Sequence, residues 1–454
     1  MNPEFRRNLW LELTPRRVLL MVIVLGLAFF AAALSGGTDY RPAWVAEMAY
    51  YFIVVVWGSR NAALSVVGEI RDRTWDGQRL SSLTAAAMTW GKLFGSTIYN
   101  WFGGAICLAV IIASEFVHQG LFTAGLDAVY FVALGLISQS VALLASLIAV
   151  RRRQSHSRFG LFIYQVAGIV AACAVFYLWK AADPAGSFIT RKPANEFVQW
   201  WGQHLDARPF FLVTLALFTA WTLVGCYREM RVELKMRNGQ LVWAVFLVFM
   251  GIYVAGFDAW LPTATDTGTG AWNAVALRLA LAGGTYAYLS YVMVLLEPKD
   301  RVLYRWLGAE LGNGRIDRFL CGLQGWMMSY LATLVFVVAL IVLLCRGGFF
   351  GDAALVAAAF AFLTRDVGIF VLFQTFPGRR RGDFAAVAVL FALYALVPAI
   401  LRGLGLEEIL AFFVPKPTDP IWLGPAVVWA EAIVIVSLAF GRVALSDKTA
   451  AEPA

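Results

Sequence analysis

The sequence predicts an all-α, polytopic transmembrane bundle of about twelve spans with both termini cytoplasmic. Three observations lead there. The 454-residue chain is 60% hydrophobic and 15% charged, with a mean hydropathy of +0.71; a soluble domain is nearer half apolar and a quarter charged. Apolar runs of helix-spanning length recur from one end to the other, which excludes a soluble enzyme on a single anchor. Positive charge alternates from one connection to the next, as it does when cytoplasmic loops collect Lys and Arg.

Spans are expected at 17–35, 47–66, 94–113, 127–149, 159–178, 210–226, 241–260, 274–296, 326–345, 353–373, 384–401 and 424–441. Each is about long enough to cross roughly 30 Å of hydrocarbon as a helix. The runs are continuously apolar, unlike the short alternating segments of a membrane barrel. Arg6, Arg7, Arg16 and Arg17 precede the first run, which reads as a retained span rather than a cleavable signal peptide.

Charge sets the orientation. With the N-terminus inside, the inner connections carry Arg71, Arg73, Arg79 and Lys92, then Arg151–Arg153 with Arg158, then Arg228, Arg231, Lys235 and Arg237. Lys299, Arg301, Arg305, Arg315, Arg318 and Arg379–Arg381 follow, while the outer connections are sparsely basic. The net charge of +8 is explained by this bias, and no basic patch interleaved with aromatics points to nucleic acid. Trp44, Trp90, Trp179, Trp260, Trp272, Trp326 and Trp422 fall near span ends, where the ring favours the headgroup layer.

The five Cys and three His are scattered, without metal-ligand or redox spacing. No cluster of acid, base and metal-binding groups of the kind an enzyme needs is present, so a non-catalytic subunit with no cofactor of its own is expected.

Three stretches read as helices lying on the membrane. The first is the stripe Phe5, Leu9, Trp10 and Leu13, ended by Pro15. The second is Phe197, Trp200, Trp201 and Leu205 on the outer side; the third is Val302, Leu303, Trp306 and Leu311 on the inner side. Ordinary connector packing is the alternative for the latter two. Residues 407–413 read as a short outer helix.

The chain is expected to divide into six-span units, 1–226 and 227–454, the second being either a divergent repeat of the first or an unrelated half. FRRNLWLELTPRR (5–17) aligns with YREMRVELKMRN (227–238), and Gly68-Glu69-Ile70-Arg71-Asp72-Arg73 is echoed by Leu296-Glu297-Pro298-Lys299-Asp300-Arg301. Glu297, Lys299, Asp300 and Arg301 are thus second-copy counterparts of the first loop. Two similar bundles that enclose a pathway are common in transporters.

The inner connection 67–92 is long for a simple turn and opens on tightly spaced opposite charges: Glu69, Arg71, Asp72, Arg73 and Asp76. These pair with one another or with another protein. Leu80, Leu83 and Met88, with Thr84, form a short helix parallel to the membrane, and Gly91-Lys92 closes the loop. The competing expectation is a solvated positive-inside loop. The order Glu69, Thr74, Leu80, Gly91, Lys92 resembles the coupling region of second-class (ABC-2 type) ATP-binding-cassette exporter permeases, and Arg7, Leu9, Glu12 and Arg17 resemble their interfacial elbow helix. Arg73 stands where that pattern has Gly before Thr, and Ala86–Ala87 where it has Pro. The resemblance covers mainly 1–226.

It implies a permease driven by ATP-binding-cassette ATPase subunits, with ATP bound on the partner, through Glu69, Arg71, Asp72, Arg73, Thr74, Trp75, Asp76, Gly91 and Lys92. It also implies a bacterial inner-membrane location. The chain lacks a Gly-x-x-x-x-Gly-Lys-Ser/Thr phosphate loop, so the ATPase is a separate chain, and a second permease chain or a homodimer completes the assembly unless both halves are copies. The alternative is a major-facilitator-like secondary transporter, whose signature Gly68, Asp72 and Arg73 partly fit. A third is a membrane scaffold subunit.

Five charges fall within spans or near their ends: Arg60, Arg278, Arg365, Asp366 and Glu431. Such charges are costly and face a partner or a wet cavity. Arg60 is near enough to the inner side to snorkel. Arg365 and Asp366, as neighbours, are expected to point apart. Glu431 is expected to pair with Arg278. Ser138, Gln139, Ser140, Tyr164 and Gln165 either line a pathway or bond to neighbouring helices.

Overall fold

The computed structural model describes residues 2–35, 41–81, 83–151, 158–181, 197–236, 238–258, 274–299, 301–374 and 382–445. Asp300, the side chain of Arg301, Trp260, Trp272, Arg152–Arg153, Arg237 and Arg379–Arg381 lie outside the described residues. Among the described residues, eleven helices are long and apolar enough to cross a membrane, and they fall on eleven of the expected spans. The remaining expected span is the shorter apolar helix Leu241–Ala255, of 15 residues. The chain forms two compact units, Met1–Asn238 and Gly239–Ala454.

In the first unit α1 (Pro3–Glu12) is followed by α2 (Pro15–Leu34). Asn2 caps α1 by accepting from the Glu4 N–H at 3.0 Å, and Pro3 takes the first helical position, where its missing N–H costs nothing. Pro15 restarts the chain as α2. Next come α3 (Arg41–Tyr50), a π-helical turn Tyr51–Trp57, and α4 (Gly58–Arg71). The connection holds α5 (Trp75–Arg79), α6 (Ala85–Trp90) and a second π-helical turn, Gly91–Gly95. The long helices α7 (Ile98–Gln119), α8 (Leu121–Arg151), α9 (Arg158–Ala181) and α10 (Ala207–Glu233) complete the unit. α8 is its axis, burying Leu134, Leu143 and Leu147. At Gly168 a Cβ would sit 2.5 Å from the Ser138 carbonyl oxygen, so only glycine lets α8 and α9 approach that closely.

The π-helical turn Tyr51–Trp57 is held from three sides by side-chain amides. Asn100 Nδ2 donates to the Ile53 carbonyl at 2.8 Å, Gln139 Nε2 to Val54 at 3.0 Å and Gln165 Nε2 to Val56 at 2.9 Å. These polar groups of α7, α8 and α9 satisfy backbone where the helical ladder is widened. Gln139 and Gln165 therefore do what intramembrane amides commonly do, bonding to a neighbouring helix.

Between α9 and α10 the structure replaces the expected surface helix by a hairpin, β1 (Phe197–Trp200) and β2 (Gln203–Asp206). Trp201 and Gly202 both take positive φ, 50° and 74°, the two-residue turn that joins antiparallel strands. Exposed and half-buried positions alternate along β1, while in β2 only Leu205 is half-buried.

The second unit contains α11 (Leu241–Ala255), α12 (Ala274–Leu296), α13 (Arg301–Gly312), α14 (Ile316–Gly322), α15 (Gly325–Arg346) and α16 (Phe350–Gln374). They are followed by α17 (Gly382–Phe391), a π-helical turn Ala392–Leu396, α18 (Val397–Gly403), the 3₁₀ turn Glu407–Phe412 and α19 (Leu423–Leu445). α13 is a helix, as its stripe predicts, with Tyr304 and Leu307 buried and Val302 and Leu311 exposed. α16 is central: Phe360, Leu363, Val367 and Phe370 fill the core.

The first residues of 227–238, the segment aligned with 5–17, are the last turns of α10 and not a separate helix as α1 is. One further expectation is corrected. Trp179 and Trp326 are core rather than headgroup residues: Trp179 stacks on Tyr130 at 4.7 Å, and the Trp326 Nε1–H donates to Gln324 Oε1 at 2.7 Å. Trp44, Trp90 and Trp422 are exposed.

Candidate functional site

The connection 67–92 is a folded knob, not a solvated loop. α4 ends on Arg73, whose φ is 59°. The Arg73 N–H donates to the Ile70 carbonyl and the Thr74 N–H to the Glu69 carbonyl, at 3.2 and 2.9 Å. This is a Schellman ending with a non-glycine residue in the left-handed position. Trp75 then turns inward and is buried with Val66, Met88, Leu93, Leu147 and Met230. The expected single helix through Leu80 is instead two short ones. Leu80 sits between them, 89% exposed, and Thr84 caps α6 through the Ala87 N–H at 3.2 Å.

Charge ties the knob to α1. Lys92 is 1% exposed, and its ammonium lies 3.1 Å from the Glu4 carboxylate and in contact with that of Glu69. Arg7 bridges the same two acids at 2.9 and 3.0 Å. Gln78 also donates to Glu69, and the Lys92 ammonium lies 5.8 Å from the Trp75 ring centroid. Two cations thus meet two carboxylates, which leaves no net charge in a buried place, the condition under which burial of ions is tolerated. Asn2 Nδ2 reaches the Ala87 carbonyl at 2.5 Å and Asn8 Nδ2 the Gly91 carbonyl at 3.3 Å. A Cβ on Gly91 would come within 2.5 Å of Glu4 Cγ, so glycine there lets α1 seat.

The expected coupling residues therefore divide. Glu69, Trp75, Gly91 and Lys92 form the inner, packed face. Arg71, Asp72, Arg73, Thr74 and Asp76 are exposed, and the Asp76 carboxylate lies 3.4 Å from Arg79. Of the elbow residues, Arg7 joins the knob, whereas Glu12 and Arg17 pair with each other at 2.8 Å. Sequence reading missed Glu4, whose buried partner Lys92 lies 88 residues away in the chain.

In the second unit the echo of Glu69 has a related role. Glu297, just past the end of α12, accepts from the Gly325 and Trp326 N–H groups, both at 3.1 Å, and so caps α15. Lys299 is buried against Asp383 at 3.0 Å. In each unit an acid at the end of one membrane helix holds the start of a later one.

The charges inside the second unit converge on α16 and α19. Arg365 is 1% exposed; its Nη1 donates to Glu431 Oε2 at 3.1 Å and its Nε lies 3.4 Å from Asp366 Oδ1. Asp366 Oδ2 accepts from the Tyr291 hydroxyl at 2.8 Å and the Tyr394 hydroxyl at 2.6 Å. Glu431 is 39% exposed. Two expectations fall here. Glu431 pairs with Arg365, not Arg278, because Arg278 is engaged by Asp258 at 2.6 Å. Arg365 and Asp366 do not part company: the long Arg chain curls back until its guanidinium lies 5.3 Å from the Tyr394 ring, and Tyr394 serves both. Arg60 is exposed.

No family model, no curated protein and no solved structure matches this chain.

Proposed function

We propose that this chain is the permease subunit of an exporter, and that the knob 67–92 receives the thrust of a separate ATP-binding-cassette ATPase at the cytoplasmic face. One observation carries the reading. The inner face of the knob is locked to α1 by the Glu4–Lys92–Glu69–Arg7 cluster, while its outer edge, Arg71 to Arg73 with Asp76 and Leu80, is exposed. A motor needs such a rigid surface to move a bundle, and mixed charges around an apolar tip suit a transient protein contact. The backbone at Arg73 adds support, since a left-handed residue is what the Gly of the resembled pattern would supply.

The membrane is then crossed by alternating access. ATPase closure pushes the knob, the knob carries α4 and α7 with it, and the π-helical turn in the second span is where that movement meets α8 and α9. The test is to solubilise the complex gently and measure ATP turnover by the co-purified assembly. Asp72→Lys/Asp76→Lys, which alters the outer edge only, should lower turnover or dissociate the ATPase. An unchanged, ATPase-free protein that transports on its own would overturn the reading.

A second reading has its own observation. The Arg365–Asp366–Glu431 cluster places one cation and two carboxylates among apolar helices. Such groups mark ion or substrate pathways in membrane bundles, as a secondary transporter driven by an ion gradient would require. Transport that collapses with the gradient but persists without ATP would select it.

A further inference from the structure

α1 packs on the knob partly through polar groups: Glu4 is buried and Asn8 reaches the Gly91 carbonyl, with Phe5 and Leu9 half-buried beside them. Its outward face carries Trp10, 73% exposed, and Leu11, 60% exposed, and these line a shallow groove with Pro3, Arg6 and Arg7. Positions 3, 6, 7, 10 and 11 recur at helical spacing and so share one face. The sequence stripe of Phe5, Leu9, Trp10 and Leu13 set Arg6 and Arg7 apart from the apolar side, whereas the structure puts both arginines beside Trp10 and Leu11.

A helix that buries Glu4 and turns Trp10 and Leu11 outward is not built to leave that outer face in water. It leads within three residues into the apolar helix α2, so its outer face lies at the level where that helix enters the bilayer. The cations of α1 and of the first turn of α2 are not equally occupied. Arg7 is engaged by Glu4 and Glu69, and Arg17 by Glu12. Arg6 and Arg16 are exposed and make no ion pair among the described residues.

We infer that the outer face of α1 is a docking surface for anionic phospholipid, with Arg6 and Arg16 taking lipid phosphates and Trp10 and Leu11 entering the acyl boundary. Basic side chains next to apolar ones on an interfacial helix match an anionic headgroup layer. Because α1 is also fastened to Lys92 and Glu69, lipid charge bears on the seating of the knob. The inference needs only a membrane-embedded bundle and stands whether or not the knob meets an ATPase.

The full-length protein in nanodiscs of phosphatidylcholine, with or without phosphatidylglycerol, provides the test. Amide hydrogen exchange is followed in the peptide covering 3–12, and bound phosphatidylglycerol is counted by native mass spectrometry. Phosphatidylglycerol should slow exchange, by about fivefold for each free arginine at an anionic surface. Arg6→Gln/Arg16→Gln should abolish that difference and reduce the bound lipid, and raised salt should do the same. Inorganic phosphate should not substitute, since it brings no acyl chain for Trp10 and Leu11. Equal exchange in both bilayers together with an unchanged lipid count in the double variant would overturn the inference.

Discussion

Lys92 and Glu4 meet at 3.1 Å in the interior of the first unit, one at the entrance to a membrane helix and the other in the first turn of α1. The contact helps to decide where α1 lies, because Phe5 and Leu9 are only half-buried and Trp10 and Leu11 point outward. Removing the ammonium leaves two carboxylates close together and largely buried.

Lys92→Met should therefore lower stability by about 3–5 kcal/mol, the range for breaking a buried pair on one side. Adding Glu4→Gln should recover part of the loss, since one of the stranded charges goes with it. Thermal unfolding in detergent measures both. An additive loss in the double variant would show that the two residues act independently.

Gly91→Ala tests the same interface sterically. The new methyl would meet Glu4 Cγ and Cβ at 2.5 and 2.7 Å, and the backbone on both sides is helical. Overpacking of this kind costs about 1–3 kcal/mol. Proteolysis or hydrogen exchange near α1 should rise more than global unfolding does, because α1 alone is displaced.

Arg365→Met should cost far more than Glu431→Gln. The first leaves Asp366 without its cation in a site where both residues are almost wholly buried, a loss of about 3–5 kcal/mol. The second removes one hydrogen bond from a half-exposed carboxylate, about 1 kcal/mol. Tyr291→Phe and Tyr394→Phe should each cost about 1–3 kcal/mol through Asp366. Equal effects of Arg365→Met and Glu431→Gln on thermal stability would contradict the arrangement of partners.

Arg73→Gly should raise stability by about 0.5–1 kcal/mol. Relief of the left-handed backbone exceeds the entropy gained by the unfolded chain. If Arg73 serves the outer edge of the knob, ATP turnover in the assembly should fall while the unfolding temperature rises. The two readouts moving in opposite directions separate contact from strain.

The spans were legible in the sequence because continuous apolarity needs no partner to be recognised: any twenty such residues prefer hydrocarbon as a helix. The acidic end of the second span and the Gly-Lys at the third were visible for the same local reason. The hairpin Phe197–Asp206 was not, because Phe197, Trp200, Trp201 and Leu205 recur at a helical spacing, and the turn at Trp201–Gly202 settles the matter.

Sequence alone determined that this chain lives among membrane helices and that charges crowd the connection after its second span. Tertiary structure decided which charges meet. Lys92 chose Glu4 and Glu69 over the nearer Asp72 and Asp76, and Glu431 chose Arg365 over Arg278. The physical reason is that ion pairs form between groups that packing has already desolvated together, and which groups those are depends on how helices distant in the chain fit against one another.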